Sequence, residues 1–393
     1  MRLIFKVVLI SLCAVSALFA QLEVSGQATA EFFKSEDGLS QYAIDGGQPT
    51  FGWRWDLFAD ALVSDHVAFL SNFRMLQDQI PHIDLLAIRV SDIAASGASL
   101  EVGQIDLPFG DLGDRRFPRQ NPFFDLPLIN EHVTSLCESN YNLWTFSPEY
   151  AMRGDGVHIL DQGLYDLGAK VYGTVGMFDY SIAVINGMVS ATGTYSPGGL
   201  NSNRGLGTVA RIAVTPMTGL TVGFSYALGP FMKDVSDSTL SQLYQKSPDK
   251  YSQHIAGADL ELSFGHCSLY GEAVYNTWHY VQNVNLQVFG YTGAVEYAFT
   301  PRLSGALRAG GLVFNTISIR EFIPEDDAGY TGPIGFVPFH GKWDHDVFRV
   351  EAASSYKVDQ ALLVKVGYQI NRTYNLPQDP FDNVLFVQTV LSF

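Results

Sequence analysis

The eleven residues NVLFVQTVLSF, numbered 383–393, end the chain without one charged side chain. Every second position back from Phe393 to Leu385 is apolar or threonine, whereas the opposite set contains Gln388 and Ser392 beside apolar residues. This period of two predicts a β-strand with one strongly apolar face. An uncharged strand left at a sheet edge would promote aggregation, so both of its edges must be paired or covered.

The N-terminal segment MRLIFKVVLISLCAVSALFA has two basic residues, an apolar run from Val7 to Phe19 and a small residue before Gln21. This pattern is typical of a cleaved secretory signal, because the apolar run is short for a membrane helix. A retained anchor helix is the alternative. We expect residues 1–20 to be a signal peptide and residues 21–393 to form the mature domain.

The composition excludes several classes of protein. The net charge is −16 and becomes −18 without residues 1–20, which hold two basic residues and no acidic one. A nucleic-acid partner is therefore not expected. Cys137 and Cys267 are too few for a disulfide scaffold and should remain unbridged. After residue 20 no apolar run approaches about 18 residues, which excludes helical membrane spans.

Period-two alternation recurs along the chain in segments of about ten residues bounded by turn residues. In one of them Trp53, Trp55 and Leu57 alternate with Arg54 and Asp56. The predicted strands are 22–34, 50–63, 66–76, 82–92, 99–106, 166–176, 178–187, 207–216, 219–229, 253–264, 267–279, 284–299, 302–315, 343–357, 360–372 and 383–393.

The connections between these segments alternate in length. Tight turns such as Ser64-Asp65 and Gly265-His266 alternate with mostly longer loops such as 107–165 and 316–342. Alternating side chains also fit a soluble sandwich or propeller, but short periplasmic turns opposite long outer loops are typical of a membrane barrel. Closure would pair the first strand with the last. The sequence thus predicts an all-β fold, a transmembrane antiparallel β-barrel of about sixteen strands (fourteen to eighteen).

Three stretches resemble a known family. They are LGAKVYGTVGMFDYSIAVINGM (167–188), RGLGTVARIAVTPMTGLTVGFSYALG (204–229) and VGQIDLPFGDL (102–112). On these motifs the chain resembles the phosphate-selective porin (O/P-like) family of outer-membrane porins. The resemblance implies a porin fold, diffusion of small solutes and the homotrimer typical of sixteen-stranded porins. Phosphate preference is not carried over, because the ladders of arginine and the clustered lysines that it needs cannot be aligned here.

The longest loop, 107–165, is the first candidate site, because loops far above the usual length are commonly functional. It contains GDLGDRRFPRQNPFFDLP (110–127), in which charged residues lie among Phe, Pro and Gly. Folded into the lumen, it would narrow the pore and orient solutes. The alternative is a solvated outer loop whose charges pair with one another. The predicted constriction residues are Arg115, Arg116, Arg119, Asp111 and Asp114.

A second set of candidates follows from the alternation itself. A basic side chain facing lipid would cost about 2–4 kcal/mol at the membrane midplane, so charged strand positions are assigned to the lumen. A water-filled lumen also tolerates charge without any selective purpose. The predicted pore-lining basic residues are Arg54, Arg74, Lys170, Arg211, Arg308, Arg349 and Lys365. The acidic ones are Asp56, Asp60, Glu272, Glu296 and Glu351.

Two weaker patterns concern the ends of the barrel. Acidic residues of an outer loop would either hold divalent cations that bridge lipopolysaccharide or simply be solvated. His266 and Ser268 have the spacing found in barrel phospholipases, but no third residue is evident to orient the imidazole. The acidic residues are Glu321, Glu325, Asp326 and Asp327.

The sequence predicts no metal site, no cofactor and no catalytic residue. His340, Asp344 and His345 lack a further ligand, which favours a structural role. We expect an outer-membrane porin that passes small hydrophilic solutes or ions by passive diffusion, and the sequence leaves a preference for anions open. Its expected partners are outer-membrane lipid, lipopolysaccharide and those solutes. The alternatives are a non-conducting structural or adhesive barrel and, less favoured, a barrel hydrolase.

Overall fold

A computed structural model describes residues 21–36, 48–77, 81–136, 156–190, 205–232, 248–280, 283–323, 335–374 and 382–393. The predicted signal peptide, Cys137 and three of the four outer-loop acids, Glu325, Asp326 and Asp327, lie outside these ranges. Among the described residues Cys267 is a free cysteine. Within the same ranges no helix is both long and apolar enough to cross a membrane.

Eighteen strands are described, and sixteen of them form one closed barrel of antiparallel neighbours. The strands are β1 (Gln21–Ser35), β2 (Thr50–Ser64), β3 (Val67–Leu76), β4 (His82–Val90), β5 (Ser99–Asp106), β6 (Tyr165–Val175), β7 (Phe178–Ile185), β8 (Gly207–Met217), β9 (Leu220–Pro230), β10 (Ser252–Phe264), β11 (Cys267–His279), β12 (Asn285–Ala298), β13 (Leu303–Phe314), β14 (Thr316–Ile323), β15 (Gly335–Lys342), β16 (Val347–Lys357), β17 (Leu362–Thr373) and β18 (Val384–Ser392). The predicted fold class is confirmed.

The barrel closes where β1 pairs with β18, in a register that runs from Gln27↔Ser392 to Ser35↔Val384. The seam ends in two backbone hydrogen bonds between Gly26 and Phe393, of 2.9 and 3.0 Å. A Cβ on Gly26 would come within 2.8 Å of the Phe393 ring. Glycine is therefore needed here, because a side chain would also meet the backbone carbonyl oxygen of Asp56 on β2 at 2.7 Å.

The alternation in the sequence separates the two faces of the barrel wall. On β18, Leu385 and Leu391 are exposed on the outside, whereas Phe386 and Gln388 are buried inside. The other strands likewise expose large apolar and aromatic side chains, among them Trp53, Ile88 and Phe224. Such an outer surface is matched to hydrocarbon rather than to water.

One predicted connection is wrong in part. The segment 316–342 was expected to be a loop, but β14 and β15 within it form a separate two-stranded sheet. Only Asn315 separates β13 from β14, and its side chain bonds to the backbone of Asn285 and Gln287 on β12. The chain therefore stays extended as it leaves the barrel, and alternation alone does not mark the exit.

The start of β16 differs from the prediction by four residues. The expected strand began at Trp343, but β16 begins at Val347. The indole of Trp343 instead packs edge-on against Trp278 at 5.6 Å and against Phe314 at 5.0 Å. Burial of this aromatic side chain bends the chain into the barrel mouth before the strand starts.

Candidate solute passage

The long connection between β5 and β6 folds back into the barrel, and its first part, residues 107–136, forms an inner segment. The Phe109 ring lies 3.0 Å from the position that a Cβ of Gly257 on β10 would take. The ring of Phe124 stacks on Phe386 of β18 at 5.3 Å. The inner segment therefore crosses the interior from one wall to the other.

Gly110 brings the inner segment close to the wall. It has a left-handed φ of 65°, and a Cβ there would clash with the Glu272 carboxylate. Its N–H donates a hydrogen bond of 3.0 Å to the Ser225 hydroxyl on β9. A side chain at this position would push the segment away from the barrel wall.

One half of the interior is filled by an apolar core between this connection and the wall. The connection contributes Leu107, Phe109, Leu112, Leu128, Ile129, Leu136, Val157, Ile159, Leu160 and Leu164. They pack against an apolar wall, the inward-facing residues near the long-loop ends of β7–β13. The apolar wall comprises Ile185, Val209, Ala227, Ile255, Val274, Trp278, Val288 and Phe314. This half is packed like the core of a soluble domain.

Lys365 of β17, one of the predicted pore-lining residues, is bonded to the inner segment. Its ammonium donates to the carbonyl oxygens of Pro118, Asn121 and Phe123 at 2.8, 2.9 and 3.2 Å. The residue is 0 % exposed. The three carbonyl oxygens thus replace the hydration shell that burial removes.

Arg308 and Arg349 hold the next part of the inner segment in a similar way. The Arg308 guanidinium is paired with Glu351 and also donates to the Asp125 carbonyl oxygen at 2.7 Å. Arg349 is paired with Glu131, which lies in a single helical turn of the segment, Leu128–Glu131. Both guanidiniums therefore connect the strands to the inner segment.

The charged residues at the start of the inner segment contact different partners. Arg115 bonds the Asp111 carboxylate at 2.5 Å and Glu261 of β10 at 3.4 Å. Its guanidinium also lies 4.4 Å over the ring of Tyr270. Asp114, by contrast, is exposed.

Arg116 and Arg119 diverge from Arg115. Arg116 is buried, pairs with the Asp106 carboxylate at 2.7 Å and donates to the Gly163 carbonyl oxygen at 2.9 Å. Arg119 reaches the barrel seam, where it donates to the Ser392 hydroxyl at 3.0 Å and to nearby backbone carbonyl oxygens. The three arginines are therefore not gathered on one patch.

A charged wall, the inward faces of β1–β4, lies opposite the apolar wall. Arg54 pairs with Asp56 at 2.8 Å, and Arg74 pairs with Asp84 at 3.2 Å. An outer cavity of about 190 Å³ separates this wall from the inner segment. Its charged and amide lining residues are Glu31, Arg54, Arg74, Asp84, Arg116, Asn121, Asp125, Glu131, Gln162 and Gln388.

A second cavity of about 450 Å³ lies toward the short-turn end of the barrel. We name it the periplasmic cavity, because the short turns of an outer-membrane barrel would face the periplasm. Lys170 lines it and pairs with Glu101 at 2.9 Å; Arg211 also lines it and pairs with Asp259 at 2.5 Å. Arg116 is among the lining residues of both cavities. The Arg116 side chain therefore lies between the two cavities and borders both.

Sequence reasoning missed several residues of these cavities. Glu31 alternates inward on β1, so its position was readable from the period-two pattern. Asp106 ends β5, and Asp125 lies within the quoted loop motif, but their partners are set by tertiary contacts. Glu131 is joined to a strand residue 218 positions away, which no local pattern reveals.

His266 and Ser268 do not form part of a hydrolase site in the structure. His266 is exposed in the tight turn before β11, and its ring packs on Tyr297. The Ser268 hydroxyl is 3.2 Å from the hydroxyl of Ser263. The contacts of both side chains are thus those of a strand hairpin.

The possible metal ligands contact other groups. Asp344 lies 3.4 Å from His132 and accepts the Ser135 N–H at 2.9 Å. His340 Nδ1 lies 2.7 Å from the Ser318 hydroxyl, and His345 Nδ1 lies 3.2 Å from a backbone carbonyl oxygen. Among the residues that the structure describes, no group of three His, Cys, Asp or Glu side chains could hold a metal ion.

No family model matches the chain, and no curated protein matches it. Solved structures match its fold. The anion-selective porin from Comamonas acidovorans has a TM-score of 0.60 and 8% identity, over 95% of this chain and 100% of that one. The outer membrane channel DcaP of Acinetobacter baumannii has a TM-score of 0.58 and 12% identity, over 95% and 98%. OprB of Pseudomonas putida has a TM-score of 0.56 and 11% identity, over 95% and 94%. At these identities the likeness shows the fold alone.

Proposed function

We propose that this chain is an outer-membrane porin that passes small hydrophilic solutes or ions by passive diffusion. The observation that carries the proposal is the position of Arg116 in the lining of both polar cavities. In this proposal the two cavities are successive parts of one polar route beside the packed half of the interior, with Arg116 between them. An apolar outer surface and a polar inner route are what diffusion across a membrane requires.

In this proposal the inner segment is the constriction. The Arg116–Asp106 pair is its narrowest part, and Arg115, Asp111 and Asp114 shape the periplasmic side. Of the predicted pore-lining residues, Arg54 and Arg74 line the outer cavity, and Lys170 and Arg211 line the periplasmic cavity. The remaining three, Arg308, Arg349 and Lys365, hold the segment in place.

An anion preference, and the phosphate-selective family that the motifs resemble, receive less support. Arg115 and Arg116 each have a carboxylate partner, and Arg119 is engaged at the seam. A guanidinium neutralised by its own carboxylate attracts a second anion weakly. We retain a homotrimer in contact with lipid and lipopolysaccharide as part of the proposal; the molecular mass of the purified protein in detergent tests the trimer.

Conductance in planar bilayers tests the channel and its constriction together. Arg116→Ala would join the two cavities, so single-channel conductance should rise at least about twofold if this side chain limits the route. The control is Arg302→Ala, which removes an exposed arginine from the turn before β13. Unchanged conductance in the Arg116 variant would move the constriction elsewhere.

A non-conducting structural barrel is the second candidate, favoured by the apolar core that the long connection forms inside the barrel. Such a barrel would give no conductance in planar bilayers, although circular dichroism and heat resistance would show that the protein is folded. Conductance without hydrolysis of lipid or peptide substrates would exclude both this candidate and a barrel enzyme.

A further inference from the structure

The outer cavity has an unequal balance of hydrogen-bonding groups. Arg54 and Arg74 are bound to Asp56 and Asp84, and Arg116 is bound to Asp106. Each lining guanidinium therefore already has a carboxylate of its own. In a confined space such a pair contributes little net field, since its charges cancel at short range.

Acceptor groups in the same cavity are left over. Within the described ranges, Glu31 and Asp125 are the lining carboxylates that form no ion pair, whereas Glu131 is bound to Arg349. Glu31 accepts a hydrogen bond of 2.9 Å from the Gln388 amide. A surplus of carboxylates facing water raises the local concentration of positive ions.

Gln388 supplies an independent sign of what the cavity binds. The residue is 2 % exposed and lines the outer cavity. Its amide oxygen is buried and accepts no hydrogen bond in the part of the chain that the structure describes. A buried acceptor is stabilised by a donor or a cation, and a bound cation beside Glu31 would supply it.

Lys365 does not cancel this surplus. Its ammonium is close enough to interact with Glu31 and Asp125, but it is fully buried, is not part of the lining and donates to three carbonyl oxygens of the inner segment. The lining itself therefore stays richer in acceptors than in donors.

We propose that the outer cavity is a binding subsite for small cations, either inorganic or bearing an ammonium group, and that the channel therefore prefers cations to anions of similar size. This inference rests on the proposed function. It assigns a role to Glu31, Asp125 and Gln388, and it favours the opposite of an anion preference.

Asp125 gives the preference a pH dependence. Burial, and then the neighbouring Glu131, raise the pKa of Asp125 above its ordinary value. The other charged groups that act on it are Arg349, Glu351 and Glu31, and the buried Lys365 also interacts with it. Because its negative charge appears only above that raised pKa, cation preference should strengthen as the pH rises from 4 toward 8.

The test is the reversal potential of the reconstituted channel in a KCl gradient. We expect the unmodified protein to pass K⁺ more readily than Cl⁻. Glu31→Gln/Asp125→Asn should lower the permeability ratio at least about twofold. The control Asp65→Asn removes the same kind of charge from an exposed turn outside the cavity and should leave the ratio unchanged.

The outcomes separate this inference from the proposed function. A conducting channel with no cation preference, or one whose ratio ignores the double substitution, overturns the inference and leaves the porin intact. If the folded protein gives no conductance in planar bilayers, the proposed porin function itself is wrong. If the double variant does not fold, the pH series on the unmodified protein decides, and a ratio that is flat from pH 4 to 8 counts against the cation site.

Discussion

The apolar wall and the charged wall belong to one barrel and follow the same alternation, yet they face different surroundings. Residues such as Ile255 and Val288 are buried against the inner segment, whereas Arg54 and Arg74 line a cavity. The difference lies in what the long connection presents to each wall. The inner face of a barrel therefore need not be polar. Where a loop rather than water contacts the wall, the inward side chains can be apolar.

The comparison also explains two uses of basic residues. On the charged wall Arg54 and Arg74 are satisfied by carboxylates on the same or the adjacent strand. On β13, β16 and β17 the basic residues reach across to the inner segment. The first arrangement leaves room for water, and the second fixes a segment inside the barrel.

The largest expected effect comes from placing a charge in the apolar core. Ile129 is 0 % exposed and touches Gly290 of β12. Ile129→Asp should weaken docking of the inner segment by about 3–5 kcal/mol, the range for an unpaired buried charge. Limited proteolysis of residues 107–136 and single-channel conductance should both increase.

The control for that change is Ile129→Val, which costs only about 0.5–1.5 kcal/mol. If Ile129→Asp is cleaved no faster than the valine variant, packing against the apolar wall does not hold the inner segment in place. The proposed difference between the two walls would then be wrong.

A smaller effect is expected from the buried ammonium. Lys365→Met removes the donor to three carbonyl oxygens, and each unsatisfied buried acceptor costs about 1–3 kcal/mol. Water entering from the outer cavity will satisfy part of this loss, so we expect more frequent fluctuations of channel current rather than full release. The control is Lys357→Met, at an exposed position near the end of β16. Equal current noise in the two variants would mean that Lys365 does not hold the segment.

A third effect depends on pH. Burial lowers the pKa of His158, although the neighbouring Asp161 opposes this shift; His132 and Glu131 also act on it. Because the folded state disfavours the charged imidazole, the packing of residues 156–161 inside the barrel is most stable above the ordinary histidine pKa of about 6.5. It weakens as the pH falls below that value. Buried Asp161, whose pKa is raised, acts in the opposite direction.

Hydrogen exchange of residues 156–161 measures that dependence. Protection should fall between pH 7.5 and 5.5 in the unmodified protein and fall less in His158→Gln. His66→Gln, in an exposed turn, serves as the control. Parallel loss of protection in all three proteins would assign the acid sensitivity to another group.

The smallest effect concerns the charged wall. Arg54→Gln leaves the Asp56 carboxylate without its partner at 2.8 Å. Because the Arg54 side chain is 19% exposed and water screens the pair, the K⁺/Cl⁻ permeability ratio should rise by less than about twofold. Arg302→Gln is the matched control. A fall in the ratio would show that Arg54 acts with its carboxylate partner to favour cations.

The sequence was sufficient for the fold because membrane strands carry a period of two and their turns alternate in length. It also placed residues such as Arg308 and Lys365 on the inner face. It could not distinguish a lumen filled with water from one filled with chain, because Pro118 and Lys365 are 247 positions apart. The hairpin β14–β15 was missed for a local reason: alternation continues through Asn315 although the barrel does not.

The seam between β1 and β18 also bears on how the molecule folds. Glu31 and Gln388 meet across it although 357 positions separate them. Contacts of such long range form late, because chain entropy must be lost before they are made. Until these two strands pair, each leaves one edge of the sheet unpaired, and such an edge can misassemble with the edge of a second molecule.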